Sequence, residues 1–348
     1  MSTVIPPAND TPVYRNPARA ALRRDANCIG LGLLFLFGLM LILYDAACLL
    51  LVGFGVVEAD AVLSDPFLGL GNTGYLLVYG AVYTLMMGLP MFLAALIFRE
   101  RAVPLRPHGP VSLWRGLLWL LCGLGLCLVA NFITNFIMAF LVQFGVPVPE
   151  MPDLLINTPL SLVLNIVVFA VLPALLEEIF FRGYVLQLLR RYNDTAALFV
   201  SALLFGLMHG NVLQIPFAFM VGLILGLIVL RTDNIWLAVG LHFLNNAMSM
   251  ALQYIGLFAD TEAERALQYY TLTAILILIG AVAGVVLLAT RRKKAPKVLP
   301  HTWLPAGQVF TGSLFKAPLL LISVILFAVI TVLSVLTPYL MAWLEGLS

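Results

Sequence analysis

The sequence has little charge and few histidines or cysteines. Only 10% of its 348 residues are charged, whereas soluble domains carry about 25%, so the composition argues against a soluble protein. Hydrophobic residues make up 62% of the chain, and the mean hydropathy is +1.04. The small net charge of +2 gives no indication of a nucleic-acid partner. The four cysteines lack the close spacing of a redox pair or thiolate metal site, so we interpret them as small buried residues.

The apolar segments indicate an all-α, polytopic transmembrane helical bundle with membrane lipid as its surroundings. They run for about 20 residues without alternation, which excludes a β-barrel. We predict nine spans, with eight as the alternative if the 212–214 connection is a break and not a turn. The spans are predicted at about 28–57, 74–98, 113–146, 160–189, 195–212, 214–231, 234–257, 269–290 and 317–344.

The distribution of lysine and arginine predicts the orientation, because cytoplasmic loops carry an excess of these residues. Basic residues concentrate in the N-terminal tail, in the 99–115 loop and in the 291–316 loop, whereas the intervening loops are acidic. This pattern predicts a cytoplasmic N-terminus. We expect an integral membrane protein of a bacterial inner or plasma membrane.

Six ionisable residues lie deep within the predicted spans, where a charge costs roughly 2.5–3.5 kcal/mol on insertion scales. Intramembrane ionisable residues are candidates for function by default. At about 1.5 Å per residue, three helices carry their polar groups to a similar depth. The six are Asp45, Glu177, Glu178, Arg182, His209 and His242.

Helical spacing sorts these residues into pairs. Glu178 and Arg182 are four apart, so they share a face and are predicted to form an internal ion pair. Glu177 is rotated by about 100° from its neighbour and is expected to face a cavity instead. His242 and Asn246 are also four apart and share a face. A purely structural Glu–Arg clasp with helix-bridging histidines is the alternative interpretation.

Taken together, the polar residues form a workable hydrolytic set. Glu177 can act as general base on a water molecule, and His209 can help hold that water. His242 and Asn246 can donate hydrogen bonds to the oxyanion of a tetrahedral intermediate. The set therefore favours direct attack by water on a carbonyl carbon.

Three short motifs carry a resemblance to a known family. They are EEIFFR at 177–182, FGLMH at 205–209 and HFLNN at 242–246. They resemble the EExxxR, FxxxH and HxxxN signatures of the CPBP family of intramembrane endopeptidases, which includes CAAX proteases and bacteriocin-processing (Abi) proteins. The resemblance implies Glu177, His209, His242 and Asn246 as catalytic residues, with Glu178 and Arg182 in support.

The resemblance also suggests how the chain is divided and what it acts on. The expected segments are a cytoplasmic tail (1–27), N-terminal transmembrane helices (28–155), the catalytic core (156–257) and additional C-terminal helices with a basic loop (258–348). The expected substrate is a protein or peptide, membrane-anchored in the relatives that process prenylated CAAX proteins. Other relatives are linked to peptide maturation or bacteriocin immunity.

Metal dependence and activity are left open by the residues. A metal-free glutamate mechanism is favoured, with no cofactor. The alternative is a zinc enzyme in which Glu177, His209 and His242 bind the ion. A catalytically idle scaffold or immunity protein, and a transporter with a proton relay, are the rivals from other functional classes.

Overall fold

The computed structural model describes residues 17–98, 110–146, 159–256, 259–290 and 313–345. Several sequence predictions fall on residues outside these ranges. They concern most of the N-terminal tail, part of the basic 99–115 loop, the acidic loop between the third and fourth predicted spans (Glu150 and Asp153), and most of the basic 291–316 loop. Helix α1 begins at Pro17, within the segment assigned to the tail.

Helices account for the regular structure of the described residues, which confirms the all-α class. Each of the nine predicted spans overlaps one helix. Seven helices (α1, α4, α5 and α7–α10) are long and apolar enough to cross a membrane, judged over the described residues. Nine crossings with a cytoplasmic N-terminus stay a prediction. The helices are α1 (Pro17–Gly53), α2 (Ala59–Ser64), α3 (Gly71–Phe98), α4 (Leu113–Gln143), α5 (Pro159–Arg190), α6 (Asp194–Leu207), α7 (Ile215–Thr232), α8 (Ile235–Gly256), α9 (Glu262–Ala289) and α10 (Pro318–Glu345).

Helices α6 and α7 form a tight antiparallel hairpin. Gly222 lies against the backbone of Ala202, and Gly226 lies against the side chain of Leu198. Residue numbers rise along α7 while they fall along α6, so the chain reverses between the two helices. The connection between α6 and α7 is therefore a turn. Small residues permit this close approach, as in other membrane helix pairs.

Helix α10 packs in parallel against α1. A Cβ atom added at Gly30 would lie only 2.2 Å from the backbone nitrogen of Leu320, and the rings of Phe37 and Phe327 meet edge to face at 5.5 Å. Residue numbers rise together along the two helices. If the chain crosses the membrane nine times, the first and the ninth span run in the same direction, so parallel packing agrees with the nine-span prediction.

Helix α9 packs elsewhere, against α4. Gly125 and Gly280 face each other at backbone distance, with Cys122 beside Gly284. The two helices that the sequence assigns to one C-terminal addition therefore occupy different places. Helix α10 contributes Phe327 and other residues to the main hydrophobic core, whereas α9 contributes to a small separate cluster with α4.

Candidate active site

Helix α5 carries the double glutamate, and it is not a regular α-helix. Residues 167–171 and 179–185 adopt π-helical turns on either side of the α-helical segment Leu172–Glu178. Such turns occur frequently at functional sites. In the second turn, Ser201 of α6 donates its hydroxyl to the carbonyl oxygen of Phe181 at 3.1 Å.

Pro173 accounts for the first irregularity. It has no backbone N–H, so it cannot donate to the carbonyl oxygen four residues earlier, and its ring crowds that carbonyl. That carbonyl belongs to Phe169, which lies in the first π-turn. Asn246 of α8 donates its side-chain amide to the same oxygen at 3.2 Å. Pro173 therefore leaves the carbonyl oxygen of Phe169 without a backbone donor, and the Asn246 amide supplies the missing hydrogen bond.

Glu178 and Arg182 form the ion pair that their spacing predicts. Arg182 Nη1 lies 2.9 Å from Glu178 Oε1, and both side chains are fully buried. Arg182 Nη2 also donates to the carbonyl oxygen of Gly222 at 3.0 Å. The guanidinium carbon lies 4.5 Å from the centre of the Phe205 ring, which adds a cation–π contact.

His242 lies between the two glutamates. Its Nδ1 is 2.9 Å from Glu178 Oε1, and its Nε2 is 3.8 Å from Glu177 Oε2. The sequence interpretation separated Glu178 from the reacting groups, but the structure shows that Glu178 also bonds a predicted catalytic residue. One imidazole ring can reach both carboxylates because its two nitrogens point in different directions.

Glu177 has a second contact that the sequence analysis missed. Tyr83 of α3 donates its hydroxyl to Glu177 Oε1 at 2.5 Å. A signal for it exists in the sequence, because Tyr75, Tyr79 and Tyr83 recur every four residues and therefore share one helical face. Their rings form a stacked series with centroids 6.0 and 6.3 Å apart.

His209 lies in the turn that follows α6. Its Nδ1 is 2.9 Å from the carbonyl oxygen of Phe205. The Phe205 ring meets both predicted catalytic imidazoles edge to face, at 5.3 Å from His209 and 6.0 Å from His242. Within the described ranges, no hydrogen bond or ion pair joins His209 directly to Glu177.

The turn at His209 is supported by the C-terminal helix. Gly210 has φ of +61°, a left-handed conformation that favours glycine. A Cβ atom added there would lie 2.8 Å from the side chain of Ile330 in α10. Helix α10 therefore packs directly beside one of the predicted catalytic residues.

Hydrogen bonds occupy Nδ1 of both histidine rings. A carbonyl oxygen only accepts, so His209 carries a proton on Nδ1. His242 Nδ1 lies 2.9 Å from Glu178 Oε1, the oxygen that also accepts from Arg182 Nη1. In each ring, Nε2 is the nitrogen left for other partners. The neighbouring amide of Asn245 donates to Asn246 Oδ1 at 3.2 Å, which orients Asn246.

The predicted zinc ligands do not form a metal site in this arrangement. Among the described residues, no three His, Cys, Asp or Glu side chains are grouped closely enough to hold a metal ion. We therefore derive no catalytic step through zinc.

Comparison with known proteins identifies the segment that carries these residues. Residues 159–248 match the family model described as type II CAAX prenyl endopeptidase Rce1-like. Neither the curated proteins nor the solved structures contain a match to this chain. The matched segment begins with α5, ends within α8 and includes all three motifs, but it does not include Tyr83. This segment, about a quarter of the chain, is thus similar to the type II CAAX prenyl endopeptidase Rce1-like family, which supports the resemblance carried by the three motifs.

Proposed function

We propose that this protein is an intramembrane endopeptidase of the CAAX-protease type, in which Glu177 activates a water molecule against a peptide bond. The observation that carries the proposal is the approach of Glu177 Oε2 to His242 Nε2 at 3.8 Å. Both groups are buried. Two polar atoms at this separation can both contact one water molecule at about 2.8 Å.

The charges of the cluster support a donor role for His242. Glu177 and Glu178 supply two negative charges when ionised, and Arg182 supplies one positive charge. An uncompensated charge in a buried site is costly, and the His242 ring offers one nitrogen to each carboxylate. We propose that Nδ1 stays bonded to Glu178 while Nε2 donates toward the developing oxyanion.

Asn246 is suited to help with the same oxyanion. Its amide nitrogen has two N–H groups, and one of them is used by the carbonyl oxygen of Phe169. The second N–H can donate to substrate. We propose that His209, which presents Nε2 from the turn after α6, contacts the attacking water or the bound substrate.

The proposed reaction uses these groups in two steps. Glu177 takes a proton from water while the water oxygen bonds to the scissile carbonyl carbon, whose oxygen becomes the oxyanion. The intermediate then re-forms the C=O bond, and the C–N bond breaks. The leaving nitrogen takes the proton from Glu177, so the carboxylate is regenerated. The products are a new carboxyl terminus and a new amine.

The substrate class follows from the membrane location and the family. A site between buried faces of α3, α5 and α8 suits a membrane-associated protein or peptide. The matched family is named for prenylated CAAX sequences, so we propose a lipid-anchored peptide as substrate. A farnesylated CAAX peptide is therefore the first defined probe.

Peptide termini in cells test the proposal without assuming a substrate. Cells carrying the native chain are compared with cells carrying Glu177→Gln at equal abundance. Glu58→Gln is the matched control, because Glu58 is exposed and its side chain makes no capping hydrogen bond. Termini that vanish with Glu177→Gln but persist with Glu58→Gln support the protease and identify its substrates. If no terminus depends on Glu177 and the farnesylated peptide stays intact, the scaffold interpretation replaces the protease.

A further inference from the structure

We propose that Tyr83 is a positioning residue for the general base, and that it fixes the rotation of the Glu177 carboxylate. This inference rests on the proposed function. Tyr83 lies on α3, outside the segment that matches the family. Its hydroxyl donates to Glu177 Oε1 at 2.5 Å, a short hydrogen bond to a carboxylate.

The bond to Tyr83 separates the two oxygens of Glu177. Oε1 faces the Tyr83 hydroxyl, and Oε2 faces His242 Nε2. Without the hydroxyl, the carboxylate can rotate about its terminal bond, because such sp³–sp² torsions are broad. Tyr83 therefore keeps one oxygen occupied and the other directed toward the position proposed for the attacking water.

The position of Tyr83 is itself fixed by packing. Tyr79 stacks on Tyr83 with an angle of 15° between the ring planes, and Tyr79 also contacts the ring of Phe169 at 5.5 Å. Phe169 is the residue whose carbonyl oxygen receives the amide of Asn246. A continuous series of contacts therefore links Tyr83, through Tyr79 and Phe169, to Asn246.

A glycine brings α3 close enough for this contact. A Cβ atom added at Gly80 would lie 3.1 Å from Val168 and 3.6 Å from Leu172, both on α5. Tyr83 follows Gly80 by three residues, which is close to one helical turn. The close approach at Gly80 therefore sets the distance between the Tyr83 hydroxyl and Glu177.

The test compares Tyr83→Phe with Tyr75→Phe in purified full-length protein. Each substitution removes one hydroxyl and keeps an aromatic ring of similar shape. Tyr75 lies two turns from Tyr83 in the same stacked series, so it controls for effects on packing. Cleavage of a farnesylated CAAX peptide is measured as kcat and KM, with the thermal unfolding midpoint recorded for every variant.

We expect Tyr83→Phe to lower kcat by about 10- to 100-fold, since this is the usual effect of losing a hydrogen bond to a charged group. KM and the unfolding midpoint are expected to stay near the native values. Tyr75→Phe is expected to change kcat by less than about twofold. A loss confined to kcat indicates misdirected Glu177 and not weakened substrate binding.

Three other results overturn the inference, and they separate a failed positioning role from a failed protease function. If Glu177→Gln abolishes cleavage while Tyr83→Phe behaves like Tyr75→Phe, the positioning role is wrong and the protease stands. The same holds if Tyr83→Phe lowers the unfolding midpoint and raises KM together with its effect on kcat, since that pattern indicates a structural role. If no cleavage of the peptide depends on Glu177, the proposed function fails and the role of Tyr83 fails with it.

Discussion

Asn246 donates its side-chain amide to the carbonyl oxygen of Phe169, the backbone group that Pro173 leaves without a helical donor. The bond joins α8 to the irregular part of α5. It places a predicted catalytic residue in a structural role as well, and the two roles can be separated by experiment.

Replacing Asn246 by alanine is expected to reduce both stability and activity. The carbonyl oxygen of Phe169 loses its partner, which costs about 1–3 kcal/mol for a buried acceptor. In a Pro173→Ala background, residue 173 regains an N–H that can bond this oxygen. We therefore expect the stability cost of Asn246→Ala to shrink in that background, while the loss of peptide cleavage persists. Thermal unfolding in detergent and cleavage assays are carried out on the native protein, the two single variants and the double variant. Equal stability costs of Asn246→Ala in both backgrounds would contradict the expected coupling.

Arg182→Gln is expected to be strongly destabilising. It leaves the fully buried Glu178 carboxylate without its ion-pair partner, and removing one partner of such a pair costs about 3–5 kcal/mol. Arg231→Gln is the matched control, since Arg231 is exposed at the end of α7. Its effect is expected to stay within about 0.5 kcal/mol. Urea unfolding or thermal unfolding of the two variants makes the comparison, and similar midpoints for both would show that the buried pair contributes little.

Gly210→Ala is expected to displace His209 and lower the rate of cleavage. Alanine at a φ of +61° is strained by about 1–2 kcal/mol, and its Cβ would contact Ile330 at 2.8 Å. Adding Ile330→Ala relieves the contact but not the strain, so we expect partial recovery. A double-mutant cycle on cleavage rates measures the coupling. Strictly additive effects would mean that Ile330 does not constrain the turn.

Gly30→Ala tests whether α10 is an integral part of the fold. The added Cβ would lie 2.2 Å from the backbone nitrogen of Leu320, a contact that only separation of α1 and α10 can relieve. Gly38→Ala in the same helix adds a methyl group with nothing within 4 Å, and it gains about 0.5–1 kcal/mol from better helix propensity. Gly30→Ala should therefore lower the unfolding midpoint and Gly38→Ala should raise it. A midpoint for Gly30→Ala at or above that of Gly38→Ala would contradict the observed packing.

Chelation is expected to leave cleavage unchanged. The proposed mechanism assigns water activation to Glu177 and uses no metal ion. Elemental analysis of the purified protein, before and after dialysis against a chelator, should show no metal in stoichiometric amount. A stoichiometric metal that disappears in His209→Ala, together with loss of activity on chelation, would instead establish the zinc-dependent alternative.

Local sequence patterns predicted the residues of the candidate site and one of its contacts. Six ionisable residues stand out against an apolar chain, because charge inside a membrane helix is costly. The four-residue spacing of Glu178 and Arg182 predicted their contact, because residues four apart on one helix are neighbours whatever surrounds them. The three motifs and the all-helical fold could likewise be predicted from the sequence without a structure.

Contacts between helices were decided only by the tertiary structure. Tyr83 belongs to a helix without a motif, and its meeting with Glu177 depends on how closely α3 approaches α5 at Gly80. The bond from His242 to Glu178 depends on where α8 crosses α5. Helix α10 appeared to be an addition, yet it packs beside Gly210. Helical periodicity fixes the face on which a side chain lies, but the neighbour it meets depends on the packing of the whole bundle.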